Sequence, residues 1–141
     1  MPRNLPLAVV AQHLGEEFGP SSWVEVTQPL INDFARVTGD HQWMHVDVER
    51  ATREQGGTIA HGLLIACLLP QLQEEIMHVT DYARGFSYGF DKLRFTQPVR
   101  PGQRVRLRQR LESVTLKNGG QLVTLRSTVE IDGEARPALV A

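Results

Sequence analysis

Apolar residues follow two different periods along this chain, and the change falls near residue 80. In the first part they recur at helical spacing. Leu7, Val10, Ala11 and Leu14 line one helical face, and Gly15 ends that element. Trp23-Val24-Glu25-Val26 alternates like a short strand. Thr27 predicts an N-cap for a helix that holds Leu30, Ile31, Phe34, Ala35 and Val37, with Pro29 tolerated in its first turn. Asp47 is placed to cap a short turn through Ala51 and Thr52, and Gly56-Gly57 marks a break. Residues 59–69 are almost uniformly apolar, which predicts a helix buried all round, the central helix of the domain. Pro70 should kink or interrupt it, and Gln71, Gln73, Glu74 and Glu75 carry it into solvent.

Beyond residue 80 the period is two. Residues 86–90 and 93–95 read as strand, followed by a turn at residues 98–102. Residues 105–114 alternate, Asn118-Gly119-Gly120 signals a turn, and residues 122–131 alternate again until Asp132-Gly133. Consecutive strands joined by tight turns imply an antiparallel sheet, and a buried helix needs an apolar surface to pack on. The expected architecture is α+β: one domain over residues 1–141, with a sheet wrapped around a long apolar helix.

Composition narrows this little. The 41% hydrophobic and 22% charged residues suit a globular domain able to bury roughly 68% of its unfolded surface. A formal net charge of −1 argues for neither nucleic acid nor an anionic membrane surface as partner. The run at residues 5–11 and the run at 59–69 are both too short to span a bilayer, so no membrane insertion is expected. No small-residue cleavage site follows the first run, so no export signal is expected either. The single Cys67 cannot form an intramolecular disulfide, fits a reducing cytoplasm and is expected to be an inert core residue.

The chemistry concentrates after the predicted helix 27–38, in Gly39-Asp40-His41-Gln42-Trp43-Met44-His45. On a continuous helix Asp40 and His45 would point apart, because five residues advance about 140° past a full turn. Gly39 stops the helix, so a loop can turn both groups to one point. A carboxylate and an imidazole converging on one water form a minimal general acid/base device. Asp40 after a glycine is also a common turn cap, and a lone His45 beside Met44 and Val46 is often a packing residue. Gly62 lies where the buried helix begins, with backbone N–H groups free and the dipole favouring negative charge, so its N–H is the candidate oxyanion donor. Tight helix–strand packing is a second reason for glycine there. His41, His45 and His61 raise the question of a metal, but no Cys or Glu-x-x-His pattern supports one, and none is expected.

These blocks carry a resemblance. Phe34-Ala35, Thr38-Gly39-Asp40 and His45, then Ile59-Ala60-His61-Gly62-Leu63-Leu64, then residues 92–102 (KLRFTQPVRPG), resemble the MaoC-like dehydratases, the (R)-specific enoyl-CoA hydratases. The form Gly39-Asp40-His41-Gln42-Trp43-Met44-His45 is also similar to single-domain relatives of the nodulation-protein-N type. The resemblance covers roughly residues 20–140, all three blocks in order. It implies a hotdog fold, usually a homodimer, acting on an acyl-CoA or acyl-carrier-protein thioester with no separate cofactor. In that family the matched pair, here Asp40 and His45, performs a syn hydration giving the (R)-3-hydroxyacyl product. Gln42, Trp43, His61 and Arg94, carried by the same blocks, are the expected substrate contacts. Many hydratases have Asn-Pro where this chain has Gln42-Trp43.

Two other classes compete. A hotdog acyl-CoA thioesterase would use an acid to activate water against the carbonyl but leaves His45 without a job. A non-catalytic acyl-thioester binding module would keep only the fold. Separately, Arg104, Arg106, Arg108 and Arg110 share one strand face. They suit either cross-strand pairing with acids such as Glu130 or attraction of coenzyme A phosphates or an acidic carrier protein. Nucleic acid is a poor third, since no aromatic residues interleave the arginines.

Overall fold

The computed structural model describes all residues from Met1 to Ala141. Its elements in order are strands β1 (Arg3–Leu5), β2 (Glu17–Phe18) and β3 (Val24–Glu25); helices α1 (Gln28–Thr38), α2 (Trp43–Val46), α3 (Val48–Gln55), α4 (Gly62–Cys67) and α5 (Leu69–Glu74); and strands β4 (Met77–Val79), β5 (Arg94–Phe95), β6 (Arg104–Lys117), β7 (Gly120–Ile131) and β8 (Leu139–Val140). A 3-10 turn covers Leu7–His13 where helical spacing predicts the first helix.

The main sheet runs β2-β6-β7-β8-β5, with β3 also pairing β6, and every pairing in it is antiparallel. Its centre is the long β6–β7 hairpin, closed by Asn118 and Gly119, both at positive φ (49° and 78°). That backbone is the one a two-residue primed turn needs, and Asn-Gly adopts it at least cost. Alternation then sorts the two faces. Val105, Leu107 and Leu111 of β6 and Val129 and Ile131 of β7 share one buried core with Leu64 and Ile65 of α4, Leu68 at the junction, and Leu69 and Leu72 of α5. Leu72 has no exposed surface; replacing such a leucine with alanine typically costs 2–5 kcal/mol. The opposite face of β6 carries the arginines. Arg104 pairs with Asp132, while Arg106 and Arg108 both reach Glu130, at 2.6 and 2.9 Å. The cross-strand explanation of these three arginines is therefore the one observed.

Four expectations are corrected. The long central helix is two short ones. α4 ends at Cys67, Leu68 closes a tighter turn onto Ile65 carbonyl at 3.2 Å, and α5 restarts with Pro70 in its first turn. Proline has no N–H for the interior of a helix but fits a first turn, so the chain begins a new helix there. The run is not buried all round either, since Leu63 and Cys67, one turn apart, are both exposed. Cys67 is thus not a core residue. Finally, residues 86–90 form no strand: Phe86, Tyr88 and Phe90 are exposed, and pairing begins only at β5.

Candidate active site

Helix α1 ends as its sequence demands. Thr27 Oγ1 accepts from Leu30 N–H at the start, and Gly39, left-handed at φ 78°, donates its N–H to Ala35 carbonyl at the end. The chain turns sharply, and α2 sets His45 against α1. Gln28 on the first turn of α1 donates from Nε2 to His45 carbonyl at 2.8 Å and accepts from Thr58 Oγ1 at 2.5 Å. His45 Nδ1 lies 2.7 Å from Ile59 carbonyl. A carbonyl can only accept, so Nδ1 carries the proton and Nε2 keeps the free lone pair. The residue is 7% exposed.

His61 lies alongside. The two imidazoles stack with centroids 3.8 Å apart and planes 25° from parallel. His61 Nε2 is 3.0 Å from Asp40 carbonyl and 4.0 Å from its carboxylate Oδ2. One ligating atom from each of Asp40, His45 and His61 lies within 4.8 Å of the others. Asp40 keeps a half-exposed carboxylate whose Oδ1 accepts from Gln42 N–H at 3.4 Å, so it caps the turn and faces the imidazoles at once. Asp40 and His45 therefore do converge.

Gly62 opens α4, and neither a backbone carbonyl nor a side chain accepts its N–H. That free donor borders a pocket of about 230 Å³ whose wall includes His45, Gly62, Ile65, Phe95, Val99 and Ala138. The Phe95 ring lies so close that a Cβ on residue 62 would sit 2.7 Å from it. A Cβ at 62 would thus force the Phe95 ring to shift, so glycine serves packing here as well as approach to the backbone.

The other expected contacts lie elsewhere. Gln42 is exposed and reaches Asp40 only through its backbone. Trp43 is half-buried under the Arg50 guanidinium, 4.3 Å from the ring centroid. Arg94 is exposed and donates to its own neighbour's carbonyl, Leu93. Strand alternation turns Phe95, not Arg94, into the pocket. His61 is 3% exposed and belongs to the cluster itself, not to the pocket wall. Sequence reading missed Gln28, Thr58 and Phe95. The block at residues 92–102 was the one available pointer to Phe95.

This arrangement of sheet, helix and paired acid and imidazole defines a class of proteins, and comparison places the chain within it. Residues 9–134 match the model of the MaoC-like domain family. The chain is 46% identical over 137 residues to 3-hydroxyacyl-thioester dehydratase Z of Mycobacterium tuberculosis, covering 96% of this chain and 91% of that protein. It is 44% identical over 142 residues to nodulation protein N of Rhizobium leguminosarum bv. viciae, covering 98% and 88%. The R-hydratase PhaJ1 of Pseudomonas aeruginosa superposes with a TM-score of 0.77 over 97% of this chain and 81% of that one; at 23% identity the likeness is one of fold. The chain belongs to the MaoC-like family, and its fold is the hotdog fold.

Proposed function

We propose that the protein is an (R)-specific enoyl-thioester hydratase, catalysing in reverse the dehydration of 3-hydroxyacyl thioesters. The observation that carries the reading is the convergence of Asp40 and His45 beside an unpaired Gly62 N–H at a largely apolar pocket. The name of the M. tuberculosis relative, a 3-hydroxyacyl-thioester dehydratase, supports it.

Hydration needs a base for water, a proton for C2 and a donor for the charge that builds on the thioester oxygen. Asp40 and His45 supply the first two as a coupled pair. One takes a proton as the water oxygen bonds to C3, and the other delivers a proton to C2 on the same face, so one water is added overall. Gly62 N–H donates to the thioester oxygen while the enolate forms; one such donor is typically worth about 3–4 kcal/mol. The substrate is an acyl-CoA or acyl-carrier-protein thioester, and no further cofactor enters the chemistry. We read the cluster as an acid/base set, not a resident metal site. His61 Nε2, the atom nearest Asp40, already faces a carbonyl, and moving its proton to Nδ1 would bury a donor with no acceptor.

We also place the protein in the cytoplasm as a homodimer. No helix is long and apolar enough to cross a membrane. The exposed Leu63, Phe86, Tyr88 and Phe90 offer apolar surface for a second copy. The catalytic reading is tested with crotonyl-CoA and a longer enoyl-CoA, following the conjugated double bond and free thiol together. Loss of conjugation without thiol is expected. Released thiol would identify a thioesterase, and no reaction a binding module.

A further inference from the structure

The loop that carries Asp40 is weakly tied. Asp40 N–H reaches Thr38 Oγ1 at 3.4 Å, and its Oδ1 accepts from Gln42 at 3.4 Å; both bonds are local. The one hydrogen bond from Asp40 to a distant element is the 3.0 Å contact between its carbonyl and His61 Nε2. His61 also has two ring neighbours: it stacks on His45, and its centroid lies 5.0 Å from that of Phe34 on α1. Its Nδ1 is buried and has no partner.

These facts fix the proton on His61. The Asp40 carbonyl can only accept, so Nε2 must donate, and Nδ1 is left as a bare lone pair. The reverse tautomer would oppose two lone pairs at Nε2 and bury an unpaired N–H at Nδ1, so it fails at both ends. His45 has the opposite arrangement, with Nδ1–H held by Ile59 carbonyl. Two stacked imidazoles thus carry their protons on different nitrogens.

We infer that His61 is a positioning residue: it anchors Asp40 through the backbone and supports the face of the His45 ring, setting acid and imidazole to one distance. It makes no contact with substrate. This depends on the hydratase reading only for its kinetic consequences.

Two measurements test it. Long-range ¹H–¹⁵N spectra of the intact wild-type protein should show His61 as the Nε2–H tautomer and His45 as the Nδ1–H tautomer. His61 found as Nδ1–H would overturn the proposal, whether or not the protein hydrates enoyl thioesters. In crotonyl-CoA hydration, His61→Leu should lower kcat ~10–100-fold with KM within about threefold, since misplacement of about 1 Å is enough for such a loss. His61→Gln, whose amide restores a donor near the Nε2 position, should recover most of it. A raised KM at unchanged kcat would make His61 a substrate contact. Equal kcat loss in both folded variants would make it a proton carrier, and full activity in His61→Leu would leave it no role. Each of those three results contradicts the inference. A wild type with no hydratase activity would instead sink the functional reading, and the tautomers would still decide this one. If His61→Leu does not fold, the spectra decide alone.

Discussion

On the proposed function Asp40 and His45 work as a coupled pair, so removing either should remove most of what both supply. Asp40→Asn and His45→Gln are each expected to lower kcat for crotonyl-CoA hydration by ~10²–10⁴, with the double variant little worse than the single ones. Circular dichroism should show an unchanged fold. Full activity in either variant would refute the assignment. Gly62 makes a different prediction, because Phe95 fills the space a methyl would need. Gly62→Ala should destabilise the fold by about 1–3 kcal/mol, and adding Phe95→Ala should return much of that, as read from denaturant midpoints. The acid, the imidazole and the glycine were legible because local punctuation places them. Gly39 stops a helix, and Gly62 starts one. Gln28 and Thr58, which hold His45 in place, left no trace in the sequence. Their bond spans thirty positions, and nothing local distinguishes a glutamine that bridges from one that faces water.

At the scale of elements, the β6–β7 hairpin was the most readable, since period-two alternation and Asn118-Gly119 both mark it, although the register set by the turn shifts at a bulge between Leu111 and Ser113 that neither signal announced. The helical run was the least. A uniformly apolar segment has no phase, so it cannot announce which face is exposed, and only Pro70 hinted at the break between α4 and α5. Residues 86–90 alternate like a strand, but pairing is a non-local matter, and alternation alone does not supply a neighbour. The arginine face of β6 gives a pH prediction. Partial burial raises the Glu130 carboxyl, but hydrogen bonds from Arg106 and Arg108 outweigh it and hold the group below its ordinary value of 4.5. A depressed carboxylate stabilises the fold fully above the unfolded value and loses that contribution as pH falls through the folded one. Glu130→Gln should therefore be less stable than wild type by about 1 kcal/mol near neutrality, and the gap should close below about pH 4.5 in denaturant titrations. A gap independent of pH would mean that the pairing contributes nothing.

As a whole, the molecule is a sheet closed on a broken helix, with Asp40, His45 and His61 gathered where α1, α2 and α4 meet. Light scattering on the eluted protein should give twice the 15.8 kDa chain mass if the exposed apolar residues meet a second copy. A mass equal to one chain would remove the homodimer. Stereochemistry tests most directly what the cluster does to an enoyl thioester. Wild-type protein incubated with crotonyl-CoA should yield (R)-3-hydroxybutyryl-CoA, as resolved by chiral analysis, and Asp40→Asn should yield almost none. An (S) product, a racemate, or free coenzyme A in its place would contradict the account.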